Sequence, residues 1–240
     1  FRWLKVPSVR TESITAADVR ALKRRFPGAP VVSYVNTYAD VKAESDICCT
    51  SGNAVAVVNS LRAETIIFLP DEFLASNVAR ATGKHIVFPS VTGGTDAALD
   101  YQLVGWRGRC EVHEKFTVDD IRRVRAQFPG VVILAHPECS PDVTAAADFA
   151  GSTGAMIRYV ETTAAPRYLL LTESAMADNI AAAHPEKEIL RVCAVRCPHM
   201  EQITLEGTLA ALQRGRYVIR LPERVRVRAA RAVERMIAIG

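Results

Sequence analysis

The chain of 240 residues contains one unit written twice, and this repeat restricts the folds open to it more than any other feature. The stretch over residues 30–54, PVVSYVNTYADVKAESDICCTSGNA, returns in plan over residues 131–155, VVILAHPECSPDVTAAADFAGSTGA. Tyr34 pairs with His136, Asn36 with Glu138, Asp40 with Asp142, Asp46 with Asp148 and Ser51 with Thr153, always 102 positions apart and without a gap. Residues 15–28 face 117–130 at the same offset, and 66–81 face 168–183. Each copy alternates short apolar runs with amphipathic stretches. Such runs suit buried parallel strands joined by helices, so the fold class is α/β, built from repeated three-layer α/β/α units on short parallel sheets.

The repeat also sets boundaries. One unit spans residues 15–110 and the next 111–197, and an excursion over residues 85–102, HIVFPSVTGGTDAALDYQ, is absent from the second copy and reads as a lid-like loop. A third copy begins at residues 204–212, continues as a strand over 217–221 (YVIRL) and is then lost; residues 224–239 complete the chain as a helix. A hydrophobic content of 49% supports two ordinary cores. The net charge of +4 is mild, and the densest basic stretch, RVRVRAARAVER over residues 224–235, has apolar residues between its charges. It reads as a solvated helix face, and nucleic acid is not expected as a partner. No run approaches the roughly 20 apolar residues of a membrane span, so a cytoplasmic protein without a membrane partner is expected. Phe1 in place of an initiating methionine suggests a fragment or a processed start.

Chemistry is expected at strand ends and loops. Tyr34 and Asn36 follow the first apolar run, where α/β sheets place their ligands. The loop of residues 50–53, with Ser51, opens a helix, and Gly151-Ser152-Thr153-Gly154 does the same in the second copy. Each is either an ordinary N-cap or a pair of grips for the anionic ends of one ligand. Among six cysteines, the adjacent Cys48 and Cys49 and the spaced Cys193 and Cys197 match neither a disulfide scaffold nor a tetrahedral zinc site. Cys110 and Cys197, 87 positions apart, close successive copies and point to shared ligation of one cluster. Stepping the repeat back from Cys110 leads to Ser8.

The motifs YVNT at Tyr34, CTSGNA at Cys49, WxGxCxVHE at Trp106, HPEC at His136, GST at Gly151 and CPHM at Cys197 resemble the quinolinate synthase family, over nearly all of the chain from residue 14. The resemblance implies three similar domains around a pseudo-threefold axis and a [4Fe-4S] cluster held by one cysteine from each domain boundary, with an open iron acting as Lewis acid. It implies condensation of iminosuccinate with dihydroxyacetone phosphate to quinolinate in NAD biosynthesis, and hand-over of iminosuccinate from an aspartate-oxidising enzyme. On this likeness residues 1–14 are the remnant of a first domain, 15–110 and 111–197 the second and third, and 198–240 a segment completing the first-domain side. Carried over by motif, Cys110 and Cys197 ligate the cluster, whereas Cys48, Cys49, Cys139 and Cys193 do not. Tyr34, His136 and Glu138 are catalytic, and Tyr34, Val35, Asn36, Ser51, His136, Pro137, Glu138, Ser152 and Thr153 hold substrate. Most of the family's N-terminal domain is absent, and Ser8 stands at the third cysteine; a hydroxyl is a poor soft-metal ligand. Two other readings follow: a cluster-free module binding a dicarboxylate or sugar phosphate, and a scaffold that associates through an exposed apolar face.

Overall fold

The computed structural model describes residues 14–88 and 101–239. The first copy comprises α1 (Ala16–Arg25), β1 (Val31–Tyr34), α2 (Ala39–Glu44), β2 (Ile47–Cys49), α3 (Ala54–Ser60), β3 (Ile66–Phe68), α4 (Glu72–Thr82), β4 (Ile86–Val87) and β5 (Leu103–Gly105). The second comprises α5 (Val118–Gln127), β6 (Val132–Ala135), α6 (Pro141–Ala146), β7 (Phe149–Ala150), α7 (Thr153–Thr162), β8 (Arg167–Leu171), α8 (Ser174–Ala183) and β9 (Glu188–Leu190). Helices α9 (Leu205–Arg214) and α10 (Glu223–Ile237) follow. The sheets run β2-β1-β3-β5-β4 and β7-β6-β8-β9, with every pairing parallel. The chain is thus α/β, with repeated helix and parallel-sheet units.

Alternation along each strand feeds two cores per sheet. Val32 faces α3 and α4, while Val31 faces α1 and α2; Leu134 and Ile133 divide in the same way in the second unit. Equivalent residues also make equivalent bonds. The Thr15 and Thr117 side chains each accept a hydrogen bond from the backbone of the Asp three residues on, and each Asp carboxylate accepts one back, closing capping boxes on α1 and α5. Gly28 and Gly130, at φ of +82° and +79°, make the left-handed turn into the first strand of each unit. Asp46 and Asp148 each accept from a strand N–H, that of Val31 and that of Ile133, at 2.8 Å.

The cysteine-bearing boundaries repeat as well. Gly108 and Val195 accept backbone bonds from Glu72 and Ser174, at 2.7 and 2.9 Å, which lays each boundary beside the end of β3 or β8. A 3-10 turn follows each cysteine, over His113–Lys115 and Met200–Gln202. The units are joined by α4: Asn77 Nδ2 donates to the carbonyls of Pro137 and Cys139 at 2.9 and 3.0 Å, and Arg80 reaches Thr144 Oγ1 at 3.0 Å.

Three regions differ from the sequence expectations. The excursion does not begin as a loop: Ile86 and Val87 pair with Leu103 and Val104 as an edge strand, because β5 sits where β9 sits in the second unit and leaves an edge to extend. Residues 89–100, like Ser8, lie outside the described residues. The run over residues 217–221 is not a strand. Tyr217, 87 positions after Gly130, enters it at φ of +64°, a region that disfavours a side chain, and no neighbouring strand pairs with it among the described residues. The apolar residues beside it stay open, with Leu205 and Leu212 of α9 each 81% exposed. Helix α10 instead packs on α2 and β2, burying Ala229, Ala232 and Met236 while Arg228 pairs with Glu44 at 2.9 Å. No helix of the described residues is long and apolar enough to cross a membrane.

The joint between the units can be weighed against a single cap. Replacing Asn77 by Ala removes the donor from two carbonyls, and urea unfolding is expected to show a loss of about 1–3 kcal/mol. Thr15→Ala, which removes one exposed cap, is expected to cost only about 1 kcal/mol.

Candidate ligand and metal site between the units

Both sheets turn their carboxyl ends toward one cavity of about 400 Å³. Tyr34 and Asn36 reach it from the end of β1, His136 and Glu138 from the end of β6, and Thr172 from the end of β8. Thr153 brings the start of α7, and Cys110 and Cys197 come from the two boundary segments. Crossover connections put every strand end of a parallel sheet on one side, so a repeat in sequence becomes a concentration of polar groups in space.

The other expected site residues lie just beside this cavity. Ser51, Pro137 and Ser152 line a neighbouring pocket of about 430 Å³. Ser51 connects the two, its Oγ lying 3.1 Å from His136 Nε2. The loops carrying Ser51 and Ser152 face each other so closely that a Cβ on Gly52 would lie 3.3 Å from Ser152 Oγ. Val35 packs against the first unit's core, and its carbonyl accepts from Lys42 Nζ at 2.9 Å.

His113, Thr172 and Met200, which the sequence expectations did not single out, are also part of the wall. His113 stacks on His136 with ring centroids 4.4 Å apart, and its Nδ1 lies 3.0 Å from Glu138 Oε2 and 3.1 Å from Cys110 Sγ. Its Nε2 lies 3.0 Å from Thr172 Oγ1. The signal for His113 was its place three residues after Cys110, where the 3-10 turn folds it back; the equivalent residue, Met200, lines the cavity too.

The electrostatics follow from this packing. Burial alone would raise the Glu138 carboxyl, but hydrogen bonds from His113 and Tyr34 and the charges of both histidines outweigh it and hold the group down, to about 2. Glu138 is therefore a carboxylate at neutral pH, better suited to orient His113 than to supply a proton. Burial, reinforced by the charge of His113, pushes His136 down to about 4. Burial followed by the nearby Glu138 charge raises Tyr34 and Cys110, so both keep their protons in the absence of a metal. Asp71, which caps α4 and leaves Oδ2 without a partner in the interior, is raised for the same two reasons.

A family sequence model, the quinolinate synthetase A protein (NadA), matches residues 9–238. The chain belongs to the quinolinate synthetase A family. It is 52% identical over 228 residues to quinolinate synthase 2 of Mesorhizobium japonicum, covering 95% of this chain and 65% of that protein. The quinolinate synthase of Xylella fastidiosa is 49% identical over 95% of this chain and 62% of its own length. That of Caulobacter vibrioides is 46% identical over 98% and 60%. The chain thus spans less than two thirds of the length of these relatives.

Against the cluster implied by quinolinate synthase likeness, the ligand set is incomplete. Cys110 and Cys197 are the cysteines that line the cavity among the described residues. Cys139 turns its thiol to the Leu171 carbonyl at 3.4 Å, Cys48 lies beside Ser33, and Cys49 is buried in the first unit's core. The third position of the repeat carries Ser8. Among the described residues Cys110, His113 and Glu138 form a candidate metal group, with ligand atoms within 4.8 Å of one another.

Acid titration of stability separates the two depressed groups. His136 falls from an ordinary 6.5 to about 4, so the unfolded chain takes up its proton first and stability declines as pH drops through that window. Glu138 falls from 4.5 to about 2, so its contribution is present above 4.5 and is lost on further acidification toward 2. Glu138→Gln is expected to remove the lower limb of the profile, and His136→Gln the upper, in denaturant titrations from pH 7 to 2.5.

Proposed function

We propose that this chain is a cluster-free module that holds a small dicarboxylate or sugar phosphate between its two units. The reading is carried by the convergence of ligand-type groups from both copies on one cavity: Tyr34 and Asn36 from the first, His136, Glu138 and Thr153 from the second. The start of α7 supplies unpaired N–H groups and a positive dipole end for one anionic group of the ligand. The hydrogen bonds that Tyr34 and His113 make to Glu138 answer the carboxylate's charge and so lessen its repulsion of a second anionic group. Six free thiols fit a reducing, cytoplasmic setting.

A second reading is synthesis of quinolinate, the activity in the relatives' names, with iminosuccinate and dihydroxyacetone phosphate as the substrates that the sequence resemblance implies. Family membership and the two cavity-facing thiols favour it, and it requires a further cluster ligand. In that chemistry His113 is the residue placed to carry protons, with Glu138 fixing its orientation and Tyr34 holding a carboxylate.

Thermal unfolding with succinate, aspartate or glycerol phosphate tests the first reading, with succinamide as the uncharged control. A ligand at 100 times its Kd is expected to add about 2.7 kcal/mol, and Ser152→Ala combined with Thr153→Val to remove most of that gain. No stabilisation by any of the three anions would end the binding reading. Quinolinate formation by protein holding roughly four iron and four sulfide per chain would favour the second.

A further inference from the structure

We propose that α9 is the contact surface of a symmetric dimer, in which two copies of this chain pair their α9 helices antiparallel through Leu205, Leu209 and Leu212. This does not depend on which ligand the cavity between the units holds. Helix α9 spans ten residues, Leu205–Arg214, and buries none of them. A helix that short is marginal in water without a packed face. Its leucines nevertheless form one stripe, with Leu205, Leu209 and Leu212 exposed by 81%, 51% and 81%, and Ile203, Val218 and Ile219 are open beside it at 62%, 54% and 54%. Together they leave an apolar patch on the order of 600 Å², at the upper limit for a monomer and near the roughly 800 Å² that each partner gives a standard interface.

The repeat tells which way this stripe is turned. Thr204 caps α9 as Thr15 caps α1 and Thr117 caps α5, each side chain accepting from the backbone N–H three residues on. In that register the residues buried against the sheets are Val19 and Leu22 in α1 and Ile121 and Val124 in α5. Helix α9 carries Thr208 and Ala211 there. Its Leu209 and Leu212 stand instead where α1 has Arg20 and Lys23 and α5 has Arg122 and Arg125. The apolar side of α9 is the side its counterparts fill with cations, so its cover comes from outside the unit. Leucines spaced by four and then three residues make a knobs-into-holes seam, which a second copy of the same stripe matches. An antiparallel pair about a two-fold axis at Leu209 stacks Leu205 on Leu212 of the other copy and brings Glu206, in the first turn, toward Arg214, in the last. A parallel pair would set like charges side by side. The two-fold contact closes on itself and stops at two chains. No lysine or arginine lies between Leu205 and Gln213, as an anionic membrane surface would require.

The test is sedimentation velocity of the reduced chain over a concentration series, with far-ultraviolet circular dichroism as the check on folding. The expected result is a monomer–dimer equilibrium that ends at two chains per particle. Leu209→Glu, which places two like charges at the axis, should raise the dimer dissociation constant roughly 100-fold or more while leaving the dichroism of the unaltered monomer. Orientation is read by mild oxidation: a mixture of Leu205→Cys and Leu212→Cys chains should form a disulfide-linked pair in excess of either variant alone and of the unaltered chain. That readout decides the matter even where Leu209→Glu fails to fold. A single chain per particle up to about 100 µM, whether the stripe stays open or is covered by the same chain, would overturn the proposal. So would particles that grow without limit, a dimer indifferent to Leu209→Glu, or monomers that sediment with phosphatidylglycerol vesicles.

Discussion

The joint beneath the site centres on one amide. Asn77 Nδ2 spends both of its N–H groups on the Pro137 and Cys139 carbonyls of the other unit. Those carbonyls flank Glu138 in the turn after β6, so the same two bonds fix the turn and dock the units. Without them the first sheet would still hold Tyr34 and Asn36, and the second would still hold His136. Their mutual placement would loosen, with only Arg80 on Thr144 and Pro141 and Ser51 beside His136 among the hydrogen bonds left to hold it. Polar joints of this kind carry directional information that apolar contact does not, since a donor misplaced by an ångström leaves two acceptors unsatisfied.

Inside the cavity the decisive constraint is the burial of Glu138. A carboxylate that deep is tolerated only when other groups answer its charge, and here His113 and Tyr34 do so directly. The same charge then raises the Tyr34 hydroxyl and the Cys110 thiol. Burial and one buried anion therefore act together to keep the neighbouring hydroxyl and thiol protonated.

Much of this was legible in the sequence because the repeat made it so. Capping at Thr15 and Thr117, the turns at Gly28 and Gly130, the parallel strands and the meeting of Tyr34 with His136 all follow from pairing residues at one offset. Pattern reading failed where the copies diverge. The edge strand at Ile86 has no counterpart, so its apolar pair was hidden in a loop-like composition. The run over residues 217–221 has strand composition, but a strand is a property of two chains, and its composition says nothing of a partner. His113 was missed because its contacts arise from a 3-10 turn, and the repeat places Met200 opposite it, which conceals a titratable residue behind an apolar equivalent.

That mismatch has a stereochemical consequence. The two boundaries fold alike, yet one presents an imidazole to the cavity and the other a thioether. A flat molecule lying between them would meet ring nitrogens from one boundary and a sulfur from the other. The copies already differ where Tyr34 stands against His136 and Asn36 against Glu138, and His113 against Met200 extends that difference to the boundaries, so a planar ligand held there would have two chemically unlike faces.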